Sequence, residues 1–173
     1  MRFAYADPPY PGKAGYYIRE ATYGGEVDHP ELVERLKSGG FDGWALSTSG
    51  RAGALRMILP LVPESAILAP WTKPGSSRPD ALGPHNRWEA LIVVPGRRLR
   101  GGPADFLSAQ PARGGGTLVG RKPIAFVAWL WAMLGARPGD ELADLFPGTG
   151  IVGRAWAELS GTRATRHTST RAT

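Results

Sequence analysis

Apolar positions come in short blocks along this chain, and their spacing changes from block to block. Phe3-Ala4-Tyr5-Ala6 is an apolar run stopped by Asp7 and two prolines, which predicts a strand that cannot continue. Asp28 with Glu31 makes a capping-box-like helix start through Leu32, Val33 and Leu36, and Gly39 supplies its stop. Phe41 to Thr48 predicts a second strand, Ala54 to Leu61 a helix, and Ala66 to Ala69 a short strand. Glu89 to Val94 is a further strand, and its unbroken Leu-Ile-Val-Val run marks it as central and buried on both faces. Pro123 stands at the first turn of an apolar helix from Ile124 to Leu134, with Gly135 placed to cap it. Leu142 to Phe146 predicts a last strand. A Gly-rich turn follows, then a helix whose apolar face is Ile151, Val152, Ala155, Trp156 and Leu159.

Strands alternating with helices predict an α/β fold with a mostly parallel sheet. Two segments break the pattern: Pro11 to Val27, rich in Gly and Tyr, and Gly96 to Gly120, which carries Arg97, Arg98, Arg100 and Arg113. Both read as mobile loops. The stretch from Ser160 to Thr173 is too polar to fold alone and reads as a disordered tail, leaving residues 1–159 as one domain. Trp71, expected just beyond a strand end, and Trp88, Trp129 and Trp131 read as core or cleft wall.

With 173 residues and 42% apolar content the chain suits a single packed domain, and Gly 24 plus Pro 16 assign much of it to loops. The absence of cysteine removes disulfides, thiolate metal sites and cysteine nucleophiles, so covalent carbon-5 methylation of cytosine is excluded. No apolar stretch of about 18 residues occurs, which predicts a soluble, cytoplasmic protein. A net charge of +6 favours a polyanionic partner, nucleic acid first. His29 and His85 have no second ligand at metal spacing, so no metal is assigned.

The chemistry concentrates at two strand ends. An exocyclic base amine is a poor nucleophile because its lone pair is delocalised into the ring. A carboxylate such as Asp7 accepting one N–H bond, with a carbonyl such as that of Pro8 accepting the other, draws the nitrogen toward tetrahedral geometry. Pro8 and Pro9 hold the segment extended, and Tyr10 offers a flat face on which a flipped base can stack. An ordinary Asp-Pro strand exit would look the same in isolation. At the second end, Asp144 and Phe146 lead into Pro147-Gly148-Thr149-Gly150 and a helix. Backbone amides at that helix start suit a carboxylate, and no phosphate-loop pattern is present.

Asp7-Pro8-Pro9-Tyr10, then Arg121-Lys122-Pro123 with its helix, Arg137-Pro138-Gly139-Asp140 and DLFPGTGIVG resemble the beta-class, circularly permuted amino-methyltransferases. The resemblance covers most of the chain and is strongest to short phage-associated DNA N6-adenine methyltransferases. It implies a minimal Rossmann-like methyltransferase fold, S-adenosylmethionine as methyl donor, and transfer to an exocyclic base amine. It carries Asp7, Pro8, Pro9 and Tyr10 to the base, and Lys122, Asp144, Phe146, Pro147, Gly148, Thr149 and Gly150 to the cofactor. DPPY in place of SPPY favours adenine N6 over cytosine N4, and RNA stays open beside DNA.

The family continues past the Gly-rich helix into two further strands, the first bringing an acidic residue to the ribose. This chain shows only a Thr/Arg stretch there, so the edge of the last strand is expected to be bare and to invite a second copy of the chain as a homodimer. No large target-recognition region is present, and short specificity is expected. Lys13 and Arg19 in the first loop, with Arg97, Arg98 and Arg100 in the second, are the candidates for phosphate contact. A methyltransferase-like module that binds nucleic acid without efficient turnover is the reading of a different class, opposed by the intact Asp7.

Overall fold

The computed structural model describes residues 1–17, 25–75, 87–99, 101–112 and 121–161. The first strand, β1 (Arg2–Ala6), ends just before Pro8 and Pro9, which lack the N–H donors that would extend it. Helix α1 (His29–Ser38) begins as its sequence predicts, with the Asp28 carboxylate accepting the Glu31 N–H at 2.9 Å. Strand β2 (Gly43–Ser49) leads into α2 (Ala52–Ile58), which tightens to a 3-10 turn at Leu59–Leu61. Then come β3 (Ile67–Thr72), β4 (Trp88–Val94) and the short β5 (Leu107–Ser108). Helix α3 (Ile124–Leu134) is closed by Gly135 at φ 69°, a left-handed cap that a side chain would strain. Strand β6 (Glu141–Asp144) and α4 (Ile151–Ser160) complete the described elements.

The sheet order is β5-β3-β4-β2-β1-β6. Strand β1 is parallel to β2 and β6, and β3 is parallel to β5. Strand β4 is antiparallel to both of its neighbours, β2 and β3. The expectation of a mostly parallel sheet therefore holds in direction with one reversal. The register sets Trp88, at the start of β4, opposite Thr72, at the end of β3, so β4 begins at the end of the sheet where β3 finishes. The unbroken apolar run does mark an interior strand: Ala90 to Val93 are at most 1% exposed.

Side-chain alternation splits the core into two layers. Phe3, Tyr5, Ala45, Ala69, Trp71, Leu91 and Val93 face α3 and α4. Ala4, Ala6, Trp44, Leu46 and Ile92 face α1 and Ile58 of α2. Helix α3 is apolar nearly all round, and Phe126 sits 5.2 Å from the Trp71 ring and 6.0 Å from Tyr5, tilted in both cases.

Four expectations are corrected. Trp71 lies inside β3 rather than beyond it and is fully buried, its indole N–H donating to the Ala109 carbonyl at 2.9 Å. The segment 96–120 is not all loop: it contains β5, which finishes the sheet edge beside β3. Leu159 leaves the apolar face of α4 and is 40% exposed. That helix runs through Ser160 to a left-handed Gly161 cap, past the expected domain end at 159. The rest of the tail, 162–173, lies outside the described residues, as do Arg19, Tyr23, His85, Arg100 and Arg113. Strand β6 is one edge strand of the sheet, paired among the described residues to β1 alone, and β5 is the other. No helix among them is long and apolar enough to cross a membrane.

Candidate active site

Because β4 reverses, its first residues lie at the same end of the sheet as the last residues of β1, β3 and β6. Residue parity then selects the face. Asp7 follows Phe3 and Tyr5, Glu89 precedes Leu91 and Val93, and Lys73 follows Ala69 and Trp71, all on the α3 side. Lys122, immediately before α3, closes the cluster from above.

The side chains form one connected network. Lys122 Nζ donates to Glu89 Oε2 at 2.7 Å and pairs with Asp7 Oδ2 at 3.1 Å, with the Tyr10 hydroxyl 3.5 Å away. Tyr10 donates its own hydroxyl to Glu89 Oε2 at 2.7 Å. Lys73 Nζ holds the other oxygen, Glu89 Oε1, at 2.6 Å. The Lys122 ammonium also lies over the rings of Trp71 and Phe126, 5.1 and 5.3 Å from their centroids. Two carboxylates against two ammoniums leave the cluster neutral, the condition under which buried charges are tolerated.

Glu89 and Lys73 were missed in the sequence. The signal that would have found Glu89 is its place at the head of a strand buried on both faces, where an ionised carboxylate requires a cationic partner. Nothing local announced which lysine that would be.

Electrostatics separates the roles of the carboxyl groups. Burial pushes the Asp7 carboxyl above its ordinary pKa, and the Glu89 charge adds to this, while Lys122 opposes both. For Glu89 burial acts upward too, but Lys122 and Lys73 outweigh it and bring the pKa to about 2, so it stays ionised. Burial would drive the Lys122 proton off, yet Asp7 and Glu89 prevail and hold its pKa well above the usual value.

The second strand end brings Asp144 opposite Tyr5, on the same face as Asp7. Its carboxyl is raised to about 6, first by burial and further by the charge of Asp7, despite a hydrogen bond from the Phe146 N–H. Its Oδ1 is buried without a hydrogen-bond partner among the described residues. Beyond it the chain turns tightly: the Gly150 N–H meets the Pro147 carbonyl at 2.6 Å, and Gly148 and Gly150 have φ of 46° and 69°. Phe146 packs into the opposite core layer, Pro147 and Gly148 are exposed, and Thr149 is half-buried. An orphaned carboxylate oxygen beside the amino-terminal amides of α4 is a donor set matched to a zwitterion, with the carboxylate taking a cation and the amides an anion.

Asp7, Pro8, Pro9, Tyr10, Lys122, Asp144 and the 146–150 turn are thus gathered at one end of the sheet. Lys122, assigned to the cofactor by resemblance, is bonded to Asp7 and Glu89. Lys13 is exposed at the same end, its N–H donating to the Tyr10 carbonyl at 2.8 Å. Arg97 is elsewhere. It follows β4 at the opposite end of the sheet and grips Asp140 with both terminal nitrogens, Nη2 to Oδ1 at 3.0 Å, while Nη1 also donates to the Gly135 carbonyl at 2.9 Å. Asp140 further takes the chain's amino terminus at 2.8 Å and the Arg137 N–H at 2.7 Å. Arg97 is committed to holding β1, α3 and β6 together, and Arg98, though exposed, starts from that same far end.

The sheet and the helices on its two faces match a Rossmann-like methyltransferase fold. Among solved structures of similar backbone is the crystal structure of the M1.HpyAVI–SAM complex, with a TM-score of 0.55 and 14% identity, covering 92% of this chain and 78% of that one. No family model and no curated protein matches the sequence.

Proposed function

We propose that this protein is an S-adenosylmethionine-dependent methyltransferase acting on an exocyclic base amine, with N6 of adenine in DNA as the substrate favoured by the DPPY motif. The carrying observation is the pairing of a half-shielded carboxylate, Asp7, with an orphaned one, Asp144, at one end and on one face of the sheet. The likeness to a fold solved with SAM supports the same reading.

The cofactor supplies a methyl group on a sulfonium centre. Asp144 is suited to its α-ammonium and the amides of Gly148 and Thr149, ahead of the turn's own Gly150 bond, to its carboxylate. Asp7 accepts one N–H of the incoming amine and the Pro8 carbonyl the other, which localises the nitrogen lone pair for in-line attack. An amine that accepted the methyl would be left cationic, and Asp7 is placed to take its proton, its 28% exposure opening it to solvent. Tyr10, its hydroxyl anchored on Glu89, presents a ring for stacking.

Transfer of labelled methyl from S-adenosylmethionine to DNA and to RNA, wild type beside Asp7→Ala, with nucleoside analysis of the product, tests the proposal. The expected result is N6-methyladenine in DNA, lost in the variant while cofactor binding persists. Label in N4-methylcytosine or in RNA alone would change the substrate, and retained turnover in Asp7→Ala would overturn the mechanism.

A further inference from the structure

We propose that Glu89 is a positioning residue for Asp7: by engaging Lys122 and Tyr10 with one oxygen and Lys73 with the other, it keeps Asp7 from being closed off in a pair with Lys122. This rests on the reading that Asp7 meets the substrate amine.

The geometry is graded. Lys122 lies nearer Glu89, at 2.7 Å, than Asp7, at 3.1 Å. Exposure rises in the same direction, from 4% at Lys122 and 9% at Glu89 to 28% at Asp7. The sheltered carboxylate is saturated: Oε2 takes Lys122 and Tyr10, and Oε1 takes Lys73. The solvent-facing carboxylate is left with lone pairs for a neutral N–H donor. Were Glu89 uncharged, Asp7 would be the remaining carboxylate paired with the buried Lys122 ammonium, and Lys122 would collapse onto it. A carboxylate satisfied by an ammonium is a poorer acceptor for an amine. The same change would release the Tyr10 hydroxyl, so the acceptor and the stacking ring share one anchor.

Around Asp7 the titratable groups are Tyr5 and Tyr10 on its own strand and exit, Lys73 after β3, Glu89 on β4, Lys122 before α3 and Asp144 on β6. The Glu89 charge raises the Asp7 carboxyl and Lys122 lowers it. Removing the first strengthens the second, so loss of Glu89 should depress both turnover and the Asp7 pKa. Loss of the Glu89 charge lowers that pKa by itself, so the positioning role is read from the fall in kcat at a pH where Asp7 is ionised in both proteins, taken together with the lowered midpoint.

The test uses the full chain, comparing wild type, Glu89→Gln and Lys73→Met by methyl-transfer kinetics and by carbon-13 titration of the Asp7 carboxyl. In Glu89→Gln, kcat is expected to fall about 10- to 100-fold, the worth of one or two hydrogen bonds lost at the acceptor, with the KM for S-adenosylmethionine within about threefold. Its Asp7 midpoint should fall and the acid limb of the rate profile should follow. Lys73→Met should do the opposite to the midpoint, because Glu89 then draws Lys122 further from Asp7. A folded Glu89→Gln protein with an unmoved Asp7 midpoint, or with a lowered midpoint and unchanged kcat, overturns the proposal. If that variant does not fold, an unmoved or lowered midpoint in Lys73→Met overturns it. Should wild type methylate no nucleic acid at all, the functional reading fails, while the carboxyl titration still decides the role of Glu89.

Discussion

Asp144 stands directly opposite Tyr5 in the β1–β6 register, so the carboxylate at the end of the last strand shares a face with Asp7, two residues beyond Tyr5. Two acidic groups from distant parts of the chain are thereby brought to one cleft, and the charge of Asp7 adds to burial in raising Asp144 to about 6.

This burial has a stability consequence. A carboxyl whose folded pKa lies above its unfolded value favours folding when protonated, and that contribution is lost as pH rises from about 4 through about 6. Asp144→Asn should therefore be more stable than wild type at pH 8, by about 1–3 kcal/mol, with the gap closing near pH 4. Thermal unfolding of the unliganded protein at the two pH values checks this. The same variant should bind S-adenosylmethionine more weakly in calorimetry, since the orphaned oxygen is no longer anionic.

The Arg97–Asp140 pair follows the opposite sign. Its hydrogen bonds to Arg97 hold the Asp140 carboxyl far below the usual carboxylate range, so its contribution is present above about pH 4 and fades as pH falls below that. Arg97→Ala should lose about 1–2 kcal/mol at pH 7, a deficit that shrinks below pH 3. The salt slope of DNA binding should stay that of wild type, because Arg97 sits at the far end of the sheet. A flattened slope in filter binding would return this arginine to the nucleic-acid interface.

Tyr10 combines a ring and a hydroxyl that can be separated. Tyr10→Ala removes the stacking face and should raise the KM for DNA by roughly 5- to 150-fold, the equivalent of about 1–3 kcal/mol. Tyr10→Phe retains the ring and should keep most of the affinity while lowering kcat, having lost its hydrogen bond to Glu89. Steady-state kinetics on one DNA substrate distinguishes the two.

Glycines of the last turn and helix differ in what they tolerate. Gly150 has φ 69°, and a β-carbon there would lie 3.0 Å from Arg154 Nη1, so Gly150→Ala should destabilise by about 1–2 kcal/mol and weaken cofactor binding. Gly153 lies within α4 with nothing within 4 Å of the position its β-carbon would take. Gly153→Ala should stabilise by up to about 1 kcal/mol and leave cofactor binding unchanged. Urea titrations of both variants provide the comparison.

Local chemistry made much of this protein readable in the sequence. The Asp28 cap, the Gly135 cap, the prolines after β1 and the apolar run of β4 each act within a few residues, and each element lies where its pattern predicts. The two motif ends were legible for the same reason, since strand, turn and glycine spacing are properties of contiguous chain. Pairing is not such a property. The reversal of β4, which turns Glu89 toward the strand ends, is a matter of how β4 pairs with β2 and β3. That Lys122 is shared between Asp7 and Glu89, and that Lys73 balances the cluster, depends on side chains converging from separate strands and a helix. Arg97 likewise read as a free loop charge until the fold set Asp140 beside it. The sequence by itself determined most of the elements, though not β5, and the residue types carried at each strand end. Which charges are neutralised, and which carboxylate is left open to solvent, was decided only when folding removed water and fixed their distances, because the strength of those interactions depends on burial and separation in space.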